Sequence, residues 1–244
     1  MESKTSIYLS EEMKNRIKEQ TEFLARQGLT EELFREKVQK KMAEKGLSFI
    51  LAIYEAFDEF FREEIRISQI TLACKKGCSV CCYTLITSTE MEMNEIVHFI
   101  DALPRTVRMP LIKKAMILAR EWRDYHHENE FYINLDPFKP FKDWQGKPCP
   151  FLNEEEGFCS IYPVRIVDCR TLTSLTPCVA SETKTVFFAE LHAKEAVRYR
   201  FRCETWASNL IMEELQKKMG LHNPALAPVT PVLHWLYMKR KEIG

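Results

Sequence analysis

The sequence lacks a long apolar run, a surplus of either charge, a glycine-rich nucleotide loop, an internal repeat and any low-complexity stretch. Crossing a bilayer takes roughly 18 consecutive apolar residues, and no run approaches that, so no membrane role is expected. The N-terminal segment from Met1 to Ser10 leads into strongly charged sequence without an apolar signal core. The expected location is therefore cytoplasmic. Lys and Arg total 35 and Asp and Glu total 35, so bulk charge indicates no nucleic-acid partner. Without a glycine-rich loop after a strand, an ordinary nucleotide-dependent methyltransferase site has no support. Histidine shows no metal-site pairing beyond the neighbours His126 and His127, which on a helix do not face one another. No catalytic triad or pair of carboxylates with a defined role stands out.

What the sequence does have is cysteine, nine in 244 residues. A chain of this length can bury a core large enough to fold without metal or disulfides. In a reducing compartment, nine thiols argue for metal binding or catalysis rather than a disulfide framework. An odd count also fits full pairing poorly.

The rest reads as helix. Ser10 is placed to cap a helix opened by Glu11 and Glu12, with Gly28 as its stop. Thr30, Glu31 and Glu32 open a second, ending at Gly46. A third runs from about Leu47 to Arg66, with Phe49, Ile53, Phe57, Phe60 and Phe61 near helical spacing as a core stripe. A fourth begins near Thr87, with Thr87 and Glu90 or Thr89 and Glu92 forming a capping box, and ends before Pro104. A fifth spans Val107 to His126, with Pro110 tolerated in its first turn. Its basic residues read as a solvated face.

From Glu128 to Cys149, prolines and Gly146 predict a long loop carrying Phe138, Phe141 and Trp144. Loops of that length in compact domains are often ordered around a site. Pro150 to Pro177 reads as irregular. Thr185 to Phe188 is a candidate short strand. Helices follow near Glu190 to Met219 and Pro231 to Lys241. The expectation is a mainly α fold: a helical domain whose irregular cysteine-rich loops enclose a metal centre, with few or no short strands. Three regions are expected to pack as one compact unit: residues 1–67 (N-terminal helices), 68–180 (metal-binding core) and 181–244 (C-terminal helices).

The strongest signal is Cys74-Lys-Lys-Gly-Cys78-Ser-Val-Cys81-Cys82, four cysteines in nine residues. Spacings of three and two residues let thiolates converge from one tight loop, as in both iron–sulfur and zinc sites. Cys81 and Cys82 are adjacent, and adjacent side chains seldom both reach one small tetrahedral ion. A cluster of several irons is wider and relaxes that restriction. A second group follows at ten-residue intervals, Cys149, Cys159 and Cys169, with Cys178 beyond Pro177. These intervals suit loops closing on a site from several sides. Arg165 and Arg170 are candidates to offset the negative charge of a thiolate-rich centre. Cys203 stands apart within a predicted helix and reads as a small buried residue.

Taken in order, Cys-x3-Cys-x2-Cys-Cys, then Cys149-Pro-Phe-Leu, then Cys159-Ser-Ile-Tyr-Pro-Val-Arg165 and Cys169-Arg170 resemble the YkgJ-type cysteine-cluster family. That family is described as zinc- or iron-chelating and is characterised by eight cysteines. The resemblance covers roughly Leu72 to Cys178 and implies a ligand set of Cys74, Cys78, Cys81, Cys82, Cys149, Cys159, Cys169 and Cys178. It departs from the family at Ile166, where proline usually follows the arginine. The family includes an iron–sulfur protein required for methylation of flagellin lysines, which implies an iron–sulfur-dependent protein lysine methyltransferase as one alternative.

Three readings follow. The favoured one is an iron–sulfur protein, 4Fe-4S by preference, with a redox or catalytic role. The second is a structural zinc module presenting its helices to a protein partner or protein substrate. The third, a radical enzyme suggested by the Cys-x3-Cys-x2-Cys spacing, lacks the repeated βα pattern such a motif needs.

Overall fold

The computed structural model describes residues 11–74, 78–136, 139–144, 146–175, 201–220 and 230–238. Its described residues are mainly helical, joined by strands of only two residues each. They divide into two compact units, residues 1–71 with 200–228, and residues 72–199 with 229–244.

The first unit contains α1 (Glu11–Arg26), α2 (Glu31–Lys45), α3 (Phe49–Ile67) and, from the distant C-terminal part, a helix at Arg202–Met219 that is α8 in chain order. The ends of α2 and α3 follow from their caps. Thr30 Oγ1 accepts from the Leu33 N–H at 3.2 Å and Ser48 Oγ from the Leu51 N–H at 3.3 Å. Each satisfies a donor that the first helical turn leaves without a partner. Gly46 closes α2 in the left-handed region at φ 62°. α3 ends without glycine: Gln69 takes φ 52°, and the Ile70 N–H reaches back to the Ile65 carbonyl at 3.1 Å. This closes the helix in the same way at the steric cost of a side chain.

The predicted stripe on α3 splits. Ile53, Phe57 and Phe60 are buried, whereas Phe49 and Phe61 are half-buried. Phe60 meets Phe34 edge-on at 5.2 Å between ring centroids and Trp206 at 5.9 Å, so three helices share one aromatic core. Phe61 lies 4.2 Å from Phe201 by the same measure. Glu64 is fully buried and accepts from Gln20 Nε2 at 2.6 Å and from the Arg202 N–H at 3.0 Å. The carboxylate thus ties α3 to the positive end of α8. The single helix predicted from Glu190 to Met219 is corrected: it ends at Met219 as expected but starts at Arg202, because Phe201 before it is extended at ψ 138°, and the earlier part, including Glu190, lies outside the described residues.

The second unit holds α4 (Glu90–Asp101), α5 (Arg105–Leu135), α6 (Lys139–Asp143), α7 (Val167–Thr171) and α9 (Val232–Met238). Strands β1 (Thr87–Ser88) and β4 (Thr230–Pro231) pair antiparallel, as do β2 (Leu152–Asn153) and β3 (Phe158–Cys159). The Thr89 and Glu92 capping box opens α4. α9 packs along α5 and is fastened by the Val232 N–H to Ile86 O at 3.1 Å and by Trp235 Nε1 to Ser88 O at 2.9 Å.

Two expectations are corrected here. α5 starts at Arg105 rather than Val107, which puts Pro110 past the first turn, and it continues to Leu135 rather than stopping at His126. Between Pro110 and Pro137 there is no glycine or proline to stop it, and Asp136, the residue before that proline, is extended at φ −131°. The predicted loop from Glu128 is therefore helical at its start. It is helical again at α6, where the fully packed Trp144 that follows anchors the segment edge-on against Trp122, 5.0 Å between centroids. The predicted strand at Thr185 to Phe188 lies outside the described residues, as do Pro137 and Phe138.

Candidate metal centre

The first cysteine loop turns through a short 3-10 helix, Val80–Tyr83. The Cys82 N–H donates to Ser79 O at 2.9 Å and the Thr84 N–H to Cys81 O at 3.3 Å. Against this turn runs the segment leading to the second cysteine group. The Cys149 N–H donates to Cys82 O at 2.6 Å and the Gly146 N–H to Tyr83 O at 3.0 Å. Gly146 has φ 80°, where a side chain would be strained, so glycine there lets the chain turn into register with the first loop.

The chain then makes the β2–β3 hairpin. Its turn is held by Asn153 Oδ1, which accepts from the Glu155 and Glu156 N–H groups at 3.1 and 3.2 Å, and by Gly157 at φ 68°. The hairpin sets Cys159 opposite Leu152 and returns the chain towards Cys149. A 3-10 turn, Tyr162–Val164, leads into α7, which carries Cys169.

Four separate local structures carry five thiols that act on one another's ionisation. Cys82 feels the charges of Cys81, Cys149 and Cys169, and Cys81 acts in turn on Cys149, Cys159 and Cys169. Nearby charges act on one another's ionisation in this way. The Cys82 thiol donates a hydrogen bond to Cys81. That bond, helped by the Arg165 charge and opposed by burial, holds Cys81 down to about 7. Cys82, the donor of the pair, is pushed up, with burial adding to the effect. Burial pushes Cys149 up to about 12 and raises Cys159 and, further, Cys169.

The other predicted ligands differ in their setting. Cys74 lies beside the chain after α7: the Ala73 N–H donates to Ser174 O at 2.8 Å and the Ser174 N–H to Cys74 Sγ at 3.2 Å. Cys78 is exposed on the first loop. Cys178 lies outside the described residues, as do residues 75–77. Cys203 is fully buried in the first unit, where the charges acting on it are those of Glu64 and Glu204 rather than of other thiols.

The two arginines have separate tasks. The Arg165 guanidinium lies 4.2 Å from the Tyr162 ring centroid and favours the thiolate forms of Cys81 and Cys159. Arg170 is buried and donates to Arg165 O at 2.8 Å and Pro163 O at 2.9 Å, bracing the loop that carries Arg165, while its charge also reaches Cys159.

Three further residues support the site from positions that cysteine spacing does not reveal. Lys114 on α5 donates to Leu152 O at 2.6 Å and to Glu154 at 3.0 Å, and its charge reaches Cys149. Glu92 was legible as a helix cap, yet its other oxygen accepts from the Val167 N–H at 2.9 Å and so fixes the start of α7. Asp168 accepts from the Thr87 N–H at 3.1 Å, joining α7 to β1.

The donor set fits a thiophilic metal: several thiols, partly withdrawn from water, with arginine charge to balance thiolates. Among the described residues, no three His, Cys, Asp or Glu side chains meet at one point suited to a single ion. Among the same residues, no helix is long and apolar enough to cross a membrane.

A mainly helical scaffold whose loops gather thiols from two distant stretches of chain defines a cysteine-cluster module. The chain belongs to the CxxCxxCC family, described as "Putative zinc- or iron-chelating domain", whose model matches residues 73–195. Its module is thus one of zinc or iron chelation. The chain matches no curated protein and no solved structure.

Proposed function

We propose that the cysteine module holds an iron–sulfur cluster, of the four-iron kind, with a redox or catalytic role. The observation that carries this reading is the company kept by the adjacent pair. Cys81 and Cys82 both lie in electrostatic range of Cys149 and Cys169, and Cys159 joins the same group. One tetrahedral zinc ion takes four ligands. Five neighbouring thiols, two of them on consecutive residues, exceed that number and suit a wider, multi-metal centre. The partial burial of these thiols and the Arg165 charge support the same reading, because hydrogen bonding, net charge and solvent exposure tune such clusters. When bound, an iron–sulfur cluster supplies one-electron transfer. The protein's part is to hold the thiols, limit water and balance their charge.

Anaerobic purification followed by iron, zinc and sulfide analysis with a visible spectrum tests the reading. Iron with matching sulfide and a brown, reducible chromophore is the expected result. A colourless protein carrying stoichiometric zinc and no sulfide after anaerobic handling sinks it in favour of a structural zinc module. Ligand assignment is tested alongside: Cys78→Ser loses metal and Cys203→Ser retains it. Equal loss in both variants would overturn the ligand set.

A further inference from the structure

Helix α5 buries one side through Leu111, Ala115, Leu118, Ala119 and Trp122. Its other side carries Met109, Ile117, Phe131 and Leu135, each between 48% and 70% exposed. Interleaved with them are Lys113, Arg120, Asp124 and Glu128, all exposed. Spacings of three and four residues keep these eight on one helix face, a stripe roughly 40 Å long. Charge divides along the stripe. From Arg105 to Arg123 the chain has six basic residues and one acidic, whereas from Asp124 to Asp136 it has four acidic residues and no lysine or arginine. Asp124 is engaged by Arg123 at 2.6 Å. Lys113, Arg120 and Glu128 form no ion pair with another described residue. Beside the basic half lies an open groove of about 400 Å³, walled by Pro110, Ile117, Leu118 and Pro148 and edged by Lys113 and the Lys114–Glu154 pair.

We propose that this stripe is the interface of a symmetric homodimer, in which two copies of the chain lay their α5 helices antiparallel. A continuous helix face that leaves large apolar side chains in water marks an association site. The division of charge identifies the occupant as a second copy. A two-fold interface uses the same patch on both subunits, so the patch must complement itself. In the antiparallel arrangement Met109 and Lys113 of one copy meet Glu128, Phe131 and Leu135 of the other, and Arg120 meets Asp124. Each contact then occurs twice. A parallel arrangement would set Lys113 on Lys113 and Arg120 on Arg120, so the charges select the antiparallel one. The groove beside the basic half is open to receive the Phe131 ring of the second copy. Pro148 on its wall immediately precedes Cys149, so the dimer covers the chain that leads into the cysteine centre. The inference does not depend on which metal the cysteines hold.

The test is sedimentation velocity of the full-length, anaerobically prepared protein over a micromolar concentration series. Wild type is expected to pass from one to two chain masses as concentration rises. Two double variants are compared with it: Lys113→Glu with Arg120→Glu, which makes the whole stripe acidic, and Asp124→Lys with Glu128→Lys, which makes it basic. Each alone sets like charge on like and should dimerise at least roughly tenfold more weakly. An equimolar mixture of the two should regain wild-type association, because the acidic stripe of one now matches the basic stripe of the other. Phe131→Ser should weaken the dimer without any rescue by mixing, and it keeps the test decisive if a charge variant fails to fold by circular dichroism. A wild type that stays at one chain mass throughout overturns the proposal, whether or not the stripe binds some other protein. Dimerisation that Phe131→Ser and the charge variants leave unchanged overturns it too, by placing the interface elsewhere. Failure of two folded charge variants to associate on mixing overturns the antiparallel arrangement.

Discussion

Replacing Glu92 with alanine should weaken the metal-binding unit before any metal is added. Glu92 is 4% exposed. One carboxylate oxygen accepts from the Thr89 N–H at 3.0 Å and from its hydroxyl at 3.1 Å, and the other from the Val167 N–H at 2.9 Å. The side chain therefore caps α4 and fixes the first residue of α7, the helix that carries Cys169. Glu92→Ala leaves two buried N–H donors without this acceptor, at roughly 1–3 kcal/mol each. Relief of the buried carboxyl offsets part of that, leaving a net loss of about 2–4 kcal/mol. Burial raises the Glu92 carboxyl above its ordinary range, against the three donors that favour its ionised form. The folded chain therefore holds this proton more tightly than the unfolded chain. Ionisation costs stability as pH rises from about 4.3 through the raised folded value. The wild-type advantage over Glu92→Ala should be largest at acid pH and shrink across that window. Urea unfolding of the metal-free chain, followed by helical circular dichroism across this range, measures both effects. Lys40→Ala is the control, since Lys40 makes only an exposed pair with Glu44 at 3.7 Å and should cost no more than about 0.5 kcal/mol. A Glu92→Ala loss no greater than the control's would refute the reasoning.

Two smaller predictions concern the first unit. Arg35 reaches both oxygens of Glu213 at 2.7 Å, joining α2 to α8, and its hydrogen bonds and charge hold the Glu213 carboxyl below its usual value. That stabilisation is present above the unfolded carboxyl value, about 4.3, and is lost as pH falls through the depressed folded value. The pair is partly exposed, so Glu213→Gln should cost at most about 1 kcal/mol near neutrality, less in high salt, and nothing measurable in acid; equal cost at both pH extremes would contradict this. Gln69→Gly should stabilise by about 1 kcal/mol in urea titrations, because φ 52° strains glutamine but not glycine. Destabilisation there would show that the Gln69 side chain contributes more than its strain removes.

Local signals were the ones most legible in the sequence. The Thr30 cap, the Gly46 stop and the Thr89–Glu92 box each act within a few residues, so their outcome is contained in the short segment that bears them. The cysteine spacing marked the module itself, because four thiols in nine residues have little other use. The end of α5 was less legible. Aromatic and acidic residues after His126 carry no strong local preference, and the helix runs on until a proline stops it.

Long-range partners had no local signal at all. That residues 200–228 join the first 71 residues in one unit is decided by Phe201, Trp206 and the buried Glu64, which bring together groups more than a hundred positions apart. The pairing of Cys149 with the Cys82 turn, the charge of Lys114 near Cys149 and the tether from Glu92 to α7 are likewise settled by packing. Residue type determines which atoms can bind a metal; only the folded backbone sets Cys149, Cys159 and Cys169 near enough to the Cys81–Cys82 turn to act on its thiols.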